Sequence, residues 1–155
     1  MELPAQKFLV MSKIFTDSKQ VPMFWDECSE SGRIGELLLR RPCGIRELYG
    51  LCTDMRTKTF EYSIGILLDV ATNWMNIEEM KAKQLKQLDV PAGTYLVLDC
   101  CGEDEVAVAK AWQWFHEEFL PTSEYAYVGG VDYEMYPEHE TDFVFCKLFI
   151  PVTKR

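Results

Sequence analysis

Apolar and polar residues in the first half of the chain follow a pattern typical of three strands and one helix. Residues 6–16 (QKFLVMSKIFT) are rich in β-forming residues and predict the first strand. Pro22 suits the first turn of a helix that continues through the segment MFWDECSE. Residues 47–54 and 60–69 predict two further strands, so the expected order is strand, helix, strand, strand.

The second half of the chain repeats this order. Residues 94–101 (TYLVLDCC) predict a strand, and residues 105–120 carry the clearest helical pattern in the sequence. The apolar residues of this helix recur at steps of three and four and therefore share one face: Val108, Trp112, Phe115 and Phe119. Residues 131–137 and 142–152 predict the last two strands.

The repeated order predicts an α+β fold built from duplicated βαββ units. One such unit cannot bury its own sheet, but two copies can join their sheets and place both helices on one face. We therefore expect a single domain over residues 1–155, with halves at about 6–69 and 90–152 and a helical or loosely structured bridge at 74–88. The sheet is expected to be antiparallel and pseudo-two-fold symmetric. A duplication of this kind leaves a concave seam between the halves, where a ligand can bind.

Composition narrows the classes of partner. The 155 residues carry a net charge of −9, which should repel nucleic acid and attract cations. No apolar run approaches the roughly 18 residues of a membrane span, and no signal peptide opens the chain, so a cytoplasmic protein is expected. Aromatic residues make up 13 % of the chain, which suits a thick core, an apolar binding surface, or both.

Motifs for catalysis, metals and cofactors are missing from the sequence. The six cysteines form no CxxC pair, and the two histidines, His116 and His139, lack zinc-ligand spacing. No glycine-rich phosphate loop and no GxSxG elbow is present. The sequence therefore predicts free thiols, no metal site and no cofactor.

Six segments form an ordered set along the chain: LYGL (48–51), FEYSIGILL (60–68), VPAGTYLVLDC (90–100), AWQWFHEEFLP (111–121), YEMYP (133–137) and KLFIPV (147–152). Together they resemble one known family, the GyrI-like small-molecule-binding domain, over about residues 6–152. This domain is the effector-binding module of AraC-type and MerR-type regulators and also occurs as stand-alone proteins.

The resemblance implies a fold and a class of ligand. The family fold is a duplicated βαββ arrangement, and known members bind bulky, often cationic aromatic compounds in the seam. Among stand-alone members, drug-binding proteins encoded on integron cassettes are most similar in size and layout. The first predicted strand begins close to Met1. We therefore expect no DNA-reading segment ahead of the domain, and transcriptional regulation would need a separate DNA-binding protein.

Glu134 is the leading candidate for a binding residue. In a strand, Asp132, Glu134 and Tyr136 share one face, whereas Tyr133 and Met135 share the other, which is the expected core face. The family motif Glu-x-Tyr, matched by Glu134 and Tyr136, lies at the bottom of the family's pocket. An exposed position on the sheet surface is the plain alternative, because glutamates are seldom buried.

Aromatic residues are the candidate partners of Glu134 in a pocket for cations. For each of them, ordinary core packing is the alternative: Tyr62, Tyr49, Tyr95, Trp112 and Trp74. Trp25 and Trp114 are assigned to the core or to an interface.

The leading hypothesis is a non-enzymatic binding protein for lipophilic, cationic, drug-like molecules. One alternative is a hydrolase of small electrophilic compounds, in which Glu134 acts as a general base. Another is a protein-partner role, such as inhibition of another protein, carried by the acidic surface. A ligand sensor acting with a separate DNA-binding subunit is a further variant.

Overall fold

The computed structural model describes residues 1–39, 47–53, 58–68, 77–102, 106–136 and 144–155. Within these ranges the chain forms nine strands: β1 (Glu2–Leu3), β2 (Gln6–Phe15), β3 (Leu48–Cys52), β4 (Phe60–Leu67), β5 (Lys86–Val90), β6 (Gly93–Cys101), β7 (Tyr125–Tyr127), β8 (Asp132–Tyr136) and β9 (Val144–Lys154).

The helices of the described ranges lie between these strands. They are α1 (Val21–Glu30), α2 (Arg33–Leu38), α3 (Ile77–Ala82), α4 (Val106–Trp114) and α5 (Leu120–Thr122), with a π-helical turn (Phe115–Phe119) joining α4 to α5. Pro22 lies in the first turn of α1, as the sequence predicts. None of the helices in the described residues has the length and apolar character needed to cross a bilayer.

All strands pair antiparallel in one sheet of order β1-β6-β9-β8-β3-β4-β2-β5, and β7 pairs with the end of β9. The first half of the chain supplies β2, β3 and β4, and the second half supplies β6, β8 and β9. The halves join through β3 and β8, where Gly50 is opposite Glu134. The α+β class and the duplicated antiparallel arrangement predicted from the sequence are confirmed.

The sheet separates two apolar layers. On the helix-covered face, α1 packs on the first half around Phe24 and Met11, and α4 packs on the second half around Phe115 and Ile150. The opposite face carries its own cluster, which includes Phe8, Val10, Tyr49, Tyr95 and Tyr133. The ligand seam expected between the halves therefore has to lie on the helix-covered face, where α1 and α4 approach the joined strands.

Three strands and one helical irregularity were not predicted. β1 and β7 are only two and three residues long, too short for a periodic signal. β5 is polar (KQLDV) and begins within the end of the predicted bridge, yet it pairs with β2 over five positions. The helix predicted at 105–120 has its inward face as expected, but its last part is a π-helical turn.

Candidate ligand-binding site

A cavity of about 890 Å³ lies between α1 and α4, above the joined strands β3 and β8. The volume falls within the range of pockets for drug-sized molecules, about 300–1,000 Å³. Helix α1 and the turn before it supply Ser18, Lys19, Val21, Pro22, Trp25 and Asp26, and α4 supplies Val108, Ala109 and Trp112. The strands supply Cys52, Phe60, Tyr62, Asp132, Glu134, Tyr136 and Phe145.

Glu134 lies on the floor of this cavity, within a chain of hydrogen bonds. Tyr62 donates its hydroxyl to Oε2 of Glu134 at 3.3 Å, and Tyr136 donates its hydroxyl to the same oxygen. Trp25 in turn donates its indole N–H to the hydroxyl of Tyr62 at 3.0 Å. The four side chains come from α1, β4 and β8, so both halves of the duplication contribute to the environment of one carboxylate.

The other carboxylate oxygen of Glu134 is open to the cavity. No described residue donates a hydrogen bond to Oε1. Every fully buried side-chain nitrogen or oxygen of the described residues has a hydrogen-bond partner, so Oε1 must be accessible. The side chain of Glu134 as a whole is half-buried, in agreement with a position on a cavity floor. One oxygen is therefore held by the protein, and the other is available to a ligand.

Burial dominates the electrostatics of this group. It raises the pKa of Glu134 above the ordinary value of 4.5, although the hydrogen bonds from Tyr136 and Tyr62 oppose the increase. Burial and the adjacent Glu134 carboxylate raise the pKa values of Tyr62 and Tyr136 as well, so both phenols stay protonated and act as donors. The cavity floor therefore holds a carboxylate that gains from any positive charge placed near Oε1.

A second carboxylate lies further along the same strand face. Asp132 is buried, with 4 % of its surface exposed, and it accepts a hydrogen bond from the hydroxyl of Tyr127 at 3.3 Å. Asp132 pairs across the sheet with Cys52, and both side chains border the cavity. The acidic character of the floor thus extends beyond Glu134.

Aromatic rings form the walls above the carboxylates. The ring of Trp25 contacts that of Tyr136 edge-on, with centroids 5.2 Å apart, and Tyr136 contacts Phe145 in the same way at 5.5 Å. Trp112, on the α4 side, contacts Tyr127 edge-on at 6.1 Å. These contacts hold the rings of both helices in place around the opening.

The structure brings together four of the seven residues proposed from the sequence: Glu134, Tyr136, Tyr62 and Trp112 all border the cavity. Tyr49 and Tyr95 do not. They lie on the opposite face of the sheet, where both pack near Tyr133 with ring centroids 6.1 and 5.8 Å apart. Tyr49 lies on the opposite face because neighbouring side chains in a strand alternate between faces, and Gly50 stands on the same face as Glu134. Trp74 lies outside the described residues.

The sequence assigns Trp25 to the core or to an interface; its side chain packs against the core of the first half, and it also borders the cavity and donates a hydrogen bond to Tyr62. The only sequence signal for this role is its place in the first helix, one residue after the buried Phe24. Trp114, which the sequence also assigns to the core or to an interface, is 41 % exposed and contacts Phe119. In the described parts of the chain, no group of three or more histidine, cysteine, aspartate or glutamate side chains is arranged to hold a metal ion.

Solved structures with the same fold include proteins of several kinds. SAV2435, in a structure bound to tetraphenylphosphonium, is 16 % identical, with a TM-score of 0.79 over 99 % of this chain and 92 % of that chain. The integron cassette protein VCH_CASS2 of Vibrio cholerae is 16 % identical, with a TM-score of 0.59 over 99 % and 94 %. The C-terminal domain of EcmrR is 15 % identical, with a TM-score of 0.58 over 100 % and 96 %. At these identities the likeness establishes the fold alone.

The sequence matches no curated protein at a significant level. Residues 1–152, however, match the Cass2 family, described as integron-associated effector binding protein. Because the match extends over almost the whole chain, this protein belongs to the Cass2 family of integron-associated effector-binding proteins.

Proposed function

We propose that this protein binds lipophilic, cationic, aromatic small molecules without transforming them, and that Glu134 receives the positive charge. The observation that carries the proposal is the open Oε1 of Glu134 on the floor of an aromatic-walled cavity. Trp25, Tyr62, Trp112 and Tyr136 are the proposed aromatic contacts.

Charge complementarity is the main physical argument. A partly buried carboxylate has lost hydration that two phenol donors replace only in part. A cation next to Oε1 restores a favourable interaction in a site of low dielectric, where Coulomb attraction is stronger than in water. Aromatic faces add roughly 0.5–2 kcal/mol each when a cation lies over them.

The shape and chemistry of the cavity favour a bulky apolar cation over a small hydrated one. A cavity of about 890 Å³ is far larger than a metal ion or a simple ammonium requires. Oε2 is already occupied by two donors, so the site offers one free acceptor oxygen on Glu134 and a large aromatic surface. A ligand that spreads its charge over aromatic rings matches this combination, because it gains from burial without needing many acceptors.

The comparisons support this proposal. The family is one of effector-binding proteins, and SAV2435, which has the same fold, was solved with the aromatic cation tetraphenylphosphonium bound. A role as a ligand sensor for a separate DNA-binding protein is compatible with the proposal, because EcmrR carries the same fold as its C-terminal domain.

Calorimetric titration with a matched pair of ligands tests the proposal. Methyltriphenylphosphonium and triphenylphosphine oxide have similar shapes, but only the first carries a net charge. We expect the phosphonium to bind at least about tenfold more tightly, a difference of about 1.4 kcal/mol. Equal affinities would show that the pocket recognises the shape of the ligand and not its charge. If neither ligand binds, the proposal is refuted.

Binding should depend on pH in a defined direction. A phosphonium has no titrating proton, so the protein alone accounts for any change. Because the pKa of Glu134 is raised above 4.5, we expect affinity to rise as pH increases through the folded-state pKa and to level off above it. The free energy of unfolding of the ligand-free protein should change the opposite way. A raised folded-state pKa stabilises the fold below the unfolded-state value, and this contribution is lost as pH rises through the folded-state pKa.

Both trends are measured by titration calorimetry and urea denaturation across the same pH range. Comparison with E134Q isolates the contribution of this carboxylate from those of other acids. If E134Q retains the full pH dependence of both quantities, another group is responsible.

A further inference from the structure

Gly50 lies at the centre of the site but contributes no side chain to it. Its register partners are Glu134 on β8 and Ile64 on β4. A Cβ atom built at Gly50 would overlap the hydroxyl oxygen of Tyr62, and would lie 2.9 Å from Cζ of that ring and 3.2 Å from Oε2 of Glu134. The space above Gly50 is therefore the space that the phenol of Tyr62 occupies on its way to Glu134.

Backbone conformation does not require glycine here. Among the glycines that the structure describes, Gly32, Gly102, Gly129 and Gly130 have a positive φ, and Gly50 does not. Gly50 lies within a regular ladder, where an ordinary residue could adopt the same backbone angles. The reason for glycine at this position is therefore the side chain that lies across it.

The duplicated halves of the chain differ at the position that Gly50 occupies. Gly50 pairs with Ile64 in the first half, as Glu134 pairs with Leu148 in the second. The two halves therefore have glycine and glutamate at equivalent positions on the joined strands. Two residues before these partners, Tyr62 in the first half corresponds to Cys146 in the second. In the first half the large ring of Tyr62 lies beside Gly50, whereas in the second half the small thiol of Cys146 lies beside Glu134. The ring of the first half can therefore reach the carboxylate of the second.

We infer that Gly50 is a positioning residue for ligand binding: by lacking a side chain, it lets Tyr62 cross β3 and donate its hydroxyl to Oε2 of Glu134. The ligand is then left with Oε1. The consequence of this inference for ligand binding rests on the proposed function. The effect of Gly50 on the hydrogen bond between Tyr62 and Glu134 does not depend on a ligand.

The expected effect of Gly50→Ala follows from which atoms would clash. The overlap falls on the far end of the Tyr62 side chain and not on backbone, so the phenol should move while the sheet stays intact. Displacement of Tyr62 removes one of the two hydrogen bonds that oppose the raised pKa of Glu134. Glu134 should therefore titrate at a higher pH in G50A, and also in Y62F, than in the natural protein.

Other titratable groups also face Glu134 and must stay unchanged for this comparison. They are Tyr136 on the same strand, the thiols of Cys100 and Cys146 on β6 and β9, and, around the cavity, Cys52, Asp132, Asp26 and Lys19. None of them is altered in the variants compared, so a difference between these variants reports on Tyr62 and Gly50.

Carbon-13 NMR of the glutamate carboxyl groups tests the inference without a ligand. The Glu134 signal is assigned by its absence in E134Q. We expect a higher titration midpoint in G50A and Y62F, and a midpoint in the double variant equal to that in Y62F alone. Gly93→Ala is the matched control, because a Cβ there meets nothing closer than 4.0 Å. A natural midpoint in G50A, or additive shifts in the double variant, would refute the positioning role.

Titration of G50A with methyltriphenylphosphonium tests the consequence for binding. We expect about tenfold weaker binding near the low end of the pH range, with the deficit shrinking as pH rises and Glu134 ionises in every variant. A deficit of equal size at all pH values would indicate general damage to the cavity and contradict the inference. If the natural protein binds no cation, the proposed function fails while the NMR result still decides the role of Gly50.

A second variant guards against misfolding. If G50A does not fold, the same substitution in a Tyr62→Val background removes the ring that it would strike. A double variant as stable as Tyr62→Val alone would support the steric relation between Gly50 and Tyr62, and a double variant clearly less stable than Tyr62→Val would overturn it.

Discussion

Glu134→Gln is expected to weaken the binding of methyltriphenylphosphonium by about 100-fold, or about 2.7 kcal/mol. The substitution keeps the shape of the side chain and removes its charge. The amide can still accept the hydrogen bonds of Tyr62 and Tyr136 through its oxygen. The loss should therefore come from the missing negative charge and not from a collapsed floor. Calorimetric titration at a pH above the folded-state pKa of Glu134 measures it.

Two comparisons make this result specific. Triphenylphosphine oxide should bind E134Q and the natural protein within a few-fold of each other, because it carries no net charge. Glu117→Gln makes the same chemical change on an exposed position of the π-helical turn and should leave phosphonium binding nearly unchanged, since distant surface charges are screened by salt. An equal loss of affinity for the charged and the neutral ligand would contradict the proposal that Glu134 acts through its charge.

Phe115→Ala is expected to lower the free energy of unfolding by about 3–5 kcal/mol, a large share of the stability of a domain of this size. Phe115 is the first residue of the π-helical turn and is fully buried. Its ring stacks on Phe119 at 5.7 Å and contacts Trp112 edge-on at 5.7 Å and Tyr127 at 6.0 Å. Truncation to alanine leaves a cavity between the π-helical turn, α4 and β7, which these elements would have to move together to fill. Urea denaturation measures the change as a shift in midpoint.

Trp114→Ala is the matched control on the same helix. Trp114 is 41 % exposed, so its loss should cost much less, about 1 kcal/mol. Similar losses of stability in the two variants would show that Phe115 does not pack in the core of the second half. Because Phe115 also contacts Trp112, a folded F115A protein should bind phosphonium more weakly through a less rigid cavity wall.

The candidate site shows where local pattern is informative and where it is not. Strand alternation correctly separated Glu134 and Tyr136 from the core residue Tyr133, because neighbouring side chains in a strand point to opposite faces. The same rule could not place Tyr49, because its outcome depends on which residue of β3 stands opposite Glu134. That register is a property of the pairing between two strands whose facing residues Gly50 and Glu134 are 84 positions apart in the sequence.

The contribution of Trp25 depends on the same kind of information. Its helix is predicted by the sequence, but its indole N–H reaches the hydroxyl of Tyr62, 37 residues further along the chain. Tyr62 in turn reaches Glu134 across a strand that has glycine at the crossing point. No periodic pattern encodes such a contact, because it requires three elements to be packed at a definite distance.

Sequence pattern alone predicts the repeated order of strands and helices, the inward face of α4, and the face of β8 that carries Glu134. Each of these follows from the period of side chains along a single element, which is a local property of the backbone. Tertiary packing, in contrast, brings Tyr62 and Trp25 to Glu134, places Tyr49 and Tyr95 in the opposite layer, and pairs polar β5 with β2. These depend on the register and curl of strands from distant parts of the chain, which are determined by the packing of the whole sheet and its helices.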